Sequence, residues 1–519
     1  MRRILLSLVL FAGMAAGAEA AVVSGTVTCN GTGVASVAVS DGSKVVLTAK
    51  DGSYTLKTPL ELGYVFISVP SGYEVPADGV IPRFFKRLDP SQKKAVADFE
   101  LRKVDQSRCN IIFYNDIHLT GDPVYFDLKQ VKNGFFADVN EHYKTISDVP
   151  VYAITLGDMT TDSRWYKRKF GLPEYLAQIE ANFPVPVYHT MGNHDNNIKG
   201  GSDMEACRTF REVVGPYYYS LNIGGYHFVA LDDIVYDMPL NEQGRVEKVT
   251  GYKTYVEARQ LNWLKNDLKH VSETTPVVLL THAPLYRIDG VVDGEYRIRD
   301  GFTGGHSAEE VLYFFRKYRT VHLLSGHTHM NYYIEHENGI LEHNCVSVAG
   351  SSWYTEACCG FNMSADGTPG GYAVYTIDNG KLSWYYKAAG IDFEDCQFRA
   401  YDINAVPAKY VDGLPENSVL VNVFNYDPEW KVSIRENGRE LDVHQVWVRD
   451  PLYAMGVEGQ AFSKKGAFKP HKNSHMFTAK AVSASSPVQI TVTDRFGRVF
   501  SKTLERPGSF SLEMPLGSR

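Results

Sequence analysis

Five short groups of polar residues carry most of the chemical information in this 519-residue sequence. Each group follows directly on an apolar run that has the pattern of a β-strand. The groups are Asp116-Ile-His118, Gly157-Asp158, Gly192-Asn193-His194-Asp195, Thr281-His282 and Gly326-His327-Thr-His329. In an α/β fold, side chains that follow different strands can meet at the carboxyl edge of the sheet. Carboxylates, an amide oxygen and imidazoles are the ligands expected for manganese, iron or zinc.

The number of candidate ligands favours two metal ions over one. The seven candidates are Asp116, His118, Asp158, Asn193, His282, His327 and His329. Seven ligands are too many for one tetrahedral zinc ion, whereas they suit two metals that share a bridging ligand. One such group alone is usually a turn, but five in this order indicate a metal site. Glycines 157, 192 and 326 would allow tight turns that place the next side chain at the metals.

The predicted secondary structure that must position these groups differs between the middle of the chain and its two ends. Between residues 105 and 392, strands are predicted at 110–114, 149–156, 185–190, 226–231, 276–281 and 321–325, with helices at 126–146, 163–182, 255–271 and 307–319. This alternation predicts an α/β core. Residues 21–104 and 393–519 show short strands between glycine and aspartate turns, which predicts an all-β sandwich domain on each side of the core.

The order D-x-H, G-D, G-N-H-D, H, G-H-x-H over residues 116–329 resembles the signature of the calcineurin-like metallophosphoesterases. The resemblance implies a four-layer α/β/β/α sandwich for residues 105–392 and a dinuclear metal centre. It also implies one metal on Asp116, His118, Asp158 and His329, and a second on Asp158, Asn193, His282 and His327, with Asp158 bridging. His194 would be the catalytic histidine, oriented by Asp195. Residues 21–104 are similar to the transthyretin-like modules at the front of secreted enzymes.

The predicted reaction is hydrolysis of a phosphate ester, as a phosphatase or phosphodiesterase. Two divalent or trivalent ions of manganese, iron or zinc would offset the substrate charge and hold a bridging hydroxide for attack. His194 could protonate the leaving alkoxide, because an imidazole titrates near neutral pH. We expect a small-molecule, glycan or lipid phosphate ester as substrate. The terminal β domains would position or shield the core.

The chain carries a net charge of −7 without long runs of lysine or arginine, so we expect no nucleic-acid polymer as partner. Residues 1–20 combine a basic start, an apolar run and Ala18-Glu19-Ala20, which predicts a signal peptide cleaved after Ala20. We therefore expect an exported protein, periplasmic or extracellular, with no membrane span after signal removal. Seven scattered cysteines without a CxxC pair indicate neither a disulfide framework nor a thiolate zinc site.

Two other functions fit parts of the pattern. A non-catalytic secreted protein that binds glycans or partners could be built on a degenerate core, although no residue of the signature is missing. A β-lactamase-like dinuclear hydrolase would require an HxHxDH run, which the sequence lacks.

Arg164 and Arg287 could clamp a substrate phosphate, but surface ion pairing is the commoner role. Trp353, Tyr354 and residues 364–372 form a candidate roof over the pocket.

Overall fold

The computed structural model describes residues 21–89, 91–237, 241, 243, 251–292, 295–463 and 468–512. The predicted signal peptide, residues 1–20, lies outside the described residues. No helix in the described part of the chain is both long and apolar enough to cross a bilayer. All seven cysteines are described, and none forms a disulfide.

The described residues of the N-terminal unit form β-strands and turns. Its strands are β1 (Ala21–Cys29), β2 (Thr32–Gly33), β3 (Ala38–Ser40), β4 (Val45–Leu47), β5 (Ser53–Thr58), β6 (Tyr64–Ile67), β7 (Tyr73–Glu74), β8 (Ala77–Asp78), β9 (Ile81–Pro82), β10 (Phe85–Arg87), β11 (Lys94–Val96) and β12 (Phe99–Lys103). One sheet has the order β11-β1-β12-β7, with β2 and β5 paired to β1, and a second has the order β10-β6-β3-β4. In β5, buried Tyr54 and Leu56 alternate with exposed Thr55 and Lys57, so one face of the strand packs into the core.

Two mixed sheets form the centre of the next unit. Its strands are β13 (Arg108–Tyr114), β14 (Val151–Thr155), β15 (Val187–His189), β16 (Tyr219–Ile223), β17 (Tyr226–Ala230), β18 (Ile234–Asp237), β19 (Gly251–Thr254), β20 (Val277–Leu280), β21 (Tyr286–Val292), β22 (Glu295–Asp300), β23 (Val321–Ser325), β24 (Tyr332–Glu335), β25 (Leu341–Asn344), β26 (Gly371–Asp378) and β27 (Lys381–Ala388). The sheet orders are β15-β14-β13-β26-β27 and β16-β17-β20-β23-β25-β24. Every residue of β20 is buried, as expected for a parallel strand covered on both faces.

Helices pack on the outer faces of the two sheets. They are α1 (Asp127–Val131), α2 (Ala137–Ile146), α3 (Trp165–Arg168), α4 (Leu172–Asn182), α5 (Asp203–Ala206), α6 (Arg208–Val213), α7 (Ala258–Asp267) and α8 (Ala308–Leu312), with a π-helical turn at Lys132–Phe136. The short helix α9 (Glu356–Cys359) instead packs on α10 (Pro451–Gly456) of the C-terminal unit. Short 3₁₀ turns lie at Asp162–Arg164, Asn193–Asp195, Leu268–His270 and Glu337–Gly339. The Tyr114 and Tyr175 hydroxyls, on β13 and α4, lie 2.8 Å apart. His227 on β17 lies 2.8 Å from Asp267 on α7.

The two sheets face each other, so the unit is a four-layer α/β/β/α sandwich. The Tyr375 hydroxyl on β26 lies 2.8 Å from His343 Nδ1 on β25, across the space between the sheets.

The predicted strands are confirmed within a few residues at their ends. The predicted helix over 163–182 is divided into α3 and α4, because Lys169 adopts a left-handed backbone with φ of 52°. Only Ala308–Leu312 is α-helical within the helix predicted at 307–319.

The C-terminal unit is a second β sandwich. Its elements are β28 (Phe398–Asp402), β29 (Ser418–Val423), β30 (Lys431–Glu436), β31 (Arg439–Glu440), β32 (Val443–Arg449), β33 (Lys472–Lys480), β34 (Val488–Thr493), β35 (Val499–Leu504) and α10 (Pro451–Gly456), with 3₁₀ turns at Phe393–Asp395, Ile403–Ala405 and Ala408–Tyr410. The sheets β28-β29-β33-β32 and β31-β30-β34-β35 enclose a common apolar core. Val421, Ile434 and Ile490 are buried there.

Candidate metal centre

The predicted ligands lie in loops at the carboxyl ends of strands from both central sheets. Asp116 follows β13 and Asp158 follows β14 in one sheet, while His282 follows β20 and His327 follows β23 in the other. Asn193 opens the 3₁₀ turn after β15. The site therefore lies where the carboxyl edges of the two sheets meet, and these distant parts of the chain converge on it.

One group of possible ligand atoms comes from Asp116, His118 and His329, and these atoms all lie within 4.8 Å of one another. The Nε2 atoms of the two histidines are 2.9 Å apart. Asp116 Oδ1 is 3.6 Å from His118 Nε2 and 3.3 Å from His329 Nε2. Three donor atoms at these separations can surround a single cation.

A second group comes from Asp158, His282 and His327, within the same 4.8 Å limit. Asn193 Oδ1 lies 3.0 Å from His282 Nε2 and 2.9 Å from His327 Nδ1, so the amide oxygen joins this group. Asp158 Oδ2 is 3.3 Å from His282 Nε2 and 3.6 Å from His118 Nε2 of the first group. The Asp158 carboxylate thus lies between the two groups.

Two of the histidines are oriented by hydrogen bonds to main-chain carbonyls. His282 Nδ1 donates to the Leu156 carbonyl oxygen at 2.9 Å, and His329 Nδ1 donates to the Gly350 carbonyl oxygen at 2.7 Å. Each bond fixes the orientation of the ring and directs Nε2 into the site. A second partner of this kind is typical of metal-binding histidines.

The chemistry of this donor set fits a cation. Asp116 Oδ1 is buried without a hydrogen-bond partner among the described residues, which is costly for a carboxylate oxygen. His282 Nε2 and His327 Nδ1 lie 3.2 Å apart, and His118 Nε2 faces His329 Nε2 at 2.9 Å. Facing imidazole lone pairs repel each other unless a proton or a metal ion lies between them. These His and Asp clusters can bind metal.

Five of the seven ligand positions have a backbone conformation that ordinary residues avoid. The residues with φ between 46° and 67° are Asp116, His118, Asp158, His327 and His329. Each costs about 1–3 kcal/mol and persists because the surrounding structure enforces it. The strain is concentrated where side chains from separate loops must meet.

Close packing explains the glycines beside the ligands. A Cβ on Gly157 would lie 2.6 Å from His282 Nδ1, and one on Gly326 would lie 2.6 Å from Asp116 Oδ2. A Cβ on Gly192 would collide with the backbone nitrogen and Oδ1 of Asp158. Of the three, Gly157 alone has a left-handed backbone, with φ of 98°. The prediction that glycine is needed for a tight turn therefore applies to Gly157. At Gly192 and Gly326, glycine is needed because a Cβ would collide with the neighbouring loop.

The carboxylates and imidazoles of the site shift one another's proton affinity. Burial would raise the pKa of Asp158, but the imidazoles of His282 and His194 outweigh burial and hold this pKa below its usual range. Burial would lower the pKa of His282, but Asp158 outweighs it and raises the pKa to about 10. The carboxylates are therefore ionised at neutral pH and available as ligands.

His194 differs from the sequence-based expectation in its partner. Its Nδ1 donates to a carboxylate oxygen of Asp162, in the 3₁₀ turn after β14, rather than to Asp195. Asp195 instead accepts backbone N–H groups from Met159 at 2.9 Å and Gly192 at 2.9 Å. Asp195 thus ties the loop that carries Asp158 to the loop that carries His194. The predicted orienting role falls to Asp162, a residue that sequence reasoning missed.

A cavity of about 210 Å³ opens beside His118 and His194. Arg164, Trp353 and Tyr354 line it, as the sequence suggested for these residues. Residues 364–372 do not roof it. Asp366, in that segment, is buried and lies 3.2 Å from His475 of the C-terminal unit. Arg287 lies on the other side of the site, where its charge lowers the pKa of His327 after the larger effect of burial.

The models of one protein family match most of the chain. The model described as calcineurin-like phosphoesterase matches residues 109–331. The models of its N-terminal and C-terminal domains match residues 21–104 and 342–500. The C-terminal match begins before β26 and β27, which pair into the core sheet beside β13.

Similarity to individual proteins is weaker. An uncharacterized protein of Schizosaccharomyces pombe is 26% identical over 206 residues, 36% of this chain, and the match spans about half (47%) of that relative. A dimetal phosphatase from Danio rerio is 13% identical with a TM-score of 0.35, over 54% of this chain and 96% of that one. A purple acid phosphatase from yellow lupin is also 13% identical, with a TM-score of 0.33, over 66% of this chain and 55% of the other. The three family models, matched in order along the chain, show that the protein belongs to the calcineurin-like phosphoesterases.

Proposed function

We propose that this chain is an exported phosphoesterase with a dinuclear metal centre, acting on small phosphate esters with His194 as general acid. The observation that carries the proposal is the position of Asp158. Its Oδ2 lies 3.6 Å from one ligand group, at His118, and 3.3 Å from the other, at His282. When bound, two metal ions of manganese, iron or zinc would offset the phosphate charge and activate a water molecule.

The ligand residues would divide between two positions. Asp116, His118 and His329 would hold one metal, and Asn193, His282 and His327 would hold the other, with Asp158 shared. The support for this division is that the donor atoms within each set are close together, while Oδ2 of Asp158 lies near both sets.

His194 is suited to protonate the leaving oxygen. Burial would lower the pKa of His194, but Asp158 and Asp162 outweigh burial and raise it to about 9, so the ring is protonated at neutral pH. Because Nδ1 is held by Asp162, Nε2 is the nitrogen that can deliver a proton. The side chain is 36% exposed and lines the cavity. Asp162 would act as a positioning residue for this ring.

Activity measurements on metal-loaded protein test the proposal. The chain is stripped with a chelator, reloaded with Mn²⁺ or Zn²⁺, and assayed on a phosphomonoester dye and a phosphodiester dye. We expect hydrolysis that depends on the metal, and a decrease of about 10²–10⁴-fold in the His194→Gln variant with metal retained. Absence of hydrolysis on every ester with two metals bound would instead favour the non-catalytic binding protein.

Export is supported by the sequence of residues 1–20. Expression in a bacterial host followed by fractionation tests this part of the proposal. We expect the mature protein outside the cytoplasm with Ala21 as its first residue, because small residues precede that position. Full-length protein retained in the cytoplasm would contradict export without affecting the catalytic assignment.

A further inference from the structure

The cavity beside His194 is built from two units of the protein. Most of its lining comes from the catalytic core, including Thr161, Arg164 and Tyr354. Phe468, which precedes β33, comes from the C-terminal unit. Because His118 and His194 line the same cavity, a group bound here would lie next to the reacting phosphate.

Aromatic rings form one wall of this cavity. Tyr354 packs against Tyr125 with ring centroids 4.2 Å apart, and against Phe468 at 5.4 Å. Phe462 stacks on Tyr354 at 5.2 Å with an interplanar angle of 19°. Their exposed ring surface gives this side of the cavity an apolar lining.

The aromatic wall is anchored by the helix α10. The Tyr453 hydroxyl donates to the Phe468 carbonyl oxygen at 3.0 Å and lies 2.7 Å from the Ser351 hydroxyl. Ser351 belongs to the segment that follows Gly350, the partner of the ligand His329. The C-terminal unit thus holds both the wall of the cavity and the loop that supports the metal site.

A polar wall adjoins the aromatic wall, since Arg164 reaches Tyr354. Thr161, Ser163 and Ser352 bring hydroxyl groups, and Arg164 brings a guanidinium. The two carboxylates of the lining are already engaged: Asp127 accepts the Thr120 backbone N–H at 2.6 Å, and Asp122 pairs with Arg168 at 2.9 Å. The polar groups left to meet a ligand are therefore hydroxyls and one cation.

We propose that this cavity is the leaving-group subsite for a single sugar ring, so that the preferred substrate is a sugar phosphate. The inference rests on the proposed function. In the reaction, the phosphorus–oxygen bond to the sugar breaks, a bond from water to phosphorus forms, and the sugar oxygen takes the proton of His194. The apolar face of the sugar packs on Tyr354 and Phe468, while its hydroxyls bind the polar wall.

Size and polarity select this class over others. The volume of about 210 Å³ is below the roughly 300–1,000 Å³ typical of drug-sized ligand sites and matches a single ring. A phenyl ring would use the aromatic wall but could not hydrogen-bond to Thr161, Ser163 or Ser352, as the hydroxyls of a sugar can. These side chains are half-buried or exposed, so the preference for a sugar comes from the hydrogen bonds that it gains.

Selectivity measurements with metal-loaded full-length protein test the subsite. The value of kcat/KM is compared for glucose 1-phosphate, phenyl phosphate and ethyl phosphate. We expect the Phe468→Ala variant to lose about fivefold to tenfold in the ratio of glucose 1-phosphate to ethyl phosphate, since the ring loses its stacking partner. Phe496→Ala is the matched control, because Phe496 lies on the same unit and packs on Trp384. An unchanged ratio in Phe468→Ala, or a larger loss for phenyl phosphate than for glucose 1-phosphate, would overturn the proposal.

A binding measurement separates this proposal from the catalytic one. Saturation-transfer NMR with methyl glucoside reports contact between the sugar ring and the protein without turnover. We expect transfer to the ring protons in the wild type and in Phe496→Ala, and its loss in Phe468→Ala. If no ester is hydrolysed but this pattern is seen, the catalytic assignment fails and the subsite stands. If esters are hydrolysed and no transfer is seen, the subsite fails alone.

Discussion

Asp158 is the residue on which the geometry of the metal centre depends most. Its Oδ2 faces His118 and His282, while its Oδ1 accepts the His194 backbone N–H at 2.7 Å. The same carboxylate therefore contacts both ligand groups and fixes the start of the turn that carries the proposed acid. The backbone of Asp158 is left-handed, with φ of 52°, and this conformation directs the side chain towards the two ligand groups.

Replacing Asp158 by asparagine should reduce metal binding at both positions. The amide keeps the size of the side chain but removes the charge shared by the two groups, so metal content should fall from about two ions per chain to less than one. Elemental analysis after gel filtration measures this. Asp162→Asn is the matched control, since it removes a nearby carboxylate outside the ligand groups and should retain both metals. Two ions at full occupancy in Asp158→Asn would contradict the bridging position.

The carboxylate of Asp162 should determine how kcat depends on pH when His194 acts as the general acid. A general acid must be protonated, so kcat decreases as the pH rises through the pKa of His194, which Asp162 helps to raise. In Asp162→Asn this pKa falls, and the alkaline limb of kcat against pH should move to lower pH. A lowered kcat with an unshifted alkaline limb would show that Asp162 does not act through the proton affinity of His194.

At the scale of single residues, the sequence indicates which candidate ligands converge but not which residues support them. Asp116, His282 and the other ligands follow recognisable strands, so their convergence follows from the fold. Asp162 comes only four residues after Asp158, in a turn, and nothing in its neighbourhood separates it from Asp195, which directly follows His194. The orientation of the loop decides which carboxylate reaches the ring, and that depends on tertiary contacts.

The loops after the strands are the elements that determine the site. The turn at Asn193–Asp195 is locked to the loop after β14 through Asp195, which accepts the Met159 and Thr160 backbone N–H groups at 2.9 and 3.1 Å. Gly192 lets the two loops approach because it has no Cβ. The positions of Asp158 and His194 are therefore coupled through backbone packing.

A methyl group at position 192 should disturb the site without unfolding the protein. The Cβ in Gly192→Ala would push against Asp158, so the affinity for the metals should decrease by about tenfold or more. Gly134→Ala is the control, because a Cβ at this helical position meets nothing within 4 Å and should leave the affinity unchanged. Calorimetric titration of stripped protein with Mn²⁺ gives both values. Equal affinities in the two variants would contradict the close packing of these loops.

Strand prediction was successful where the strands are buried on both faces and less informative elsewhere. Residues 277–280 and 321–325 are short, mostly apolar runs, and a buried strand is the element that such runs indicate. The hairpin of β21 and β22 was not predicted, because its residues are largely exposed and carry alternating charges. Its partners include the distant strands β32 and β33, so its position depends on the whole fold.

At the scale of the whole molecule, a buried polar network joins the catalytic core to the C-terminal unit. Asp366 Oδ2 accepts the Asn331 backbone N–H at 2.8 Å and lies 3.2 Å from His475 Nε2, and its carbonyl oxygen accepts the Asn422 side chain at 2.9 Å. Burial would raise the pKa of Asp366, but the hydrogen bond and charge of His475 outweigh it and lower the pKa. The ionised carboxylate therefore holds the two units together.

This network should make the free energy of unfolding depend on pH in the acidic range. The pKa of Asp366 is lower in the folded than in the unfolded chain, so its contribution is complete above about pH 4 and is lost as the pH falls through the folded pKa. Asp366→Asn should lower the free energy of unfolding by about 1–3 kcal/mol at neutral pH, and should approach the wild type in acid. Urea unfolding across this pH range measures the difference. Asp442→Asn, at a side chain that is 88% exposed, should match the wild type throughout, and an equal loss in both variants would contradict the role of the network.

The contribution of the C-terminal unit to the cavity could not be predicted from the sequence. Phe468 lies far along the chain from His194, in a segment without a motif. The docking of α10 against the loop after Gly350 helps to bring the two together. The sequence predicts each unit through its own strand pattern, whereas contacts between units depend on surfaces that have no periodic signal.

Anomalous X-ray diffraction from crystals of the Mn²⁺-loaded protein tests the dinuclear centre most directly. We expect two peaks about 3.5–4 Å apart on either side of Asp158. One should lie beside Asp116, His118 and His329, and the other beside Asn193, His282 and His327. A single peak, or two peaks that do not share the Asp158 carboxylate, would contradict this arrangement.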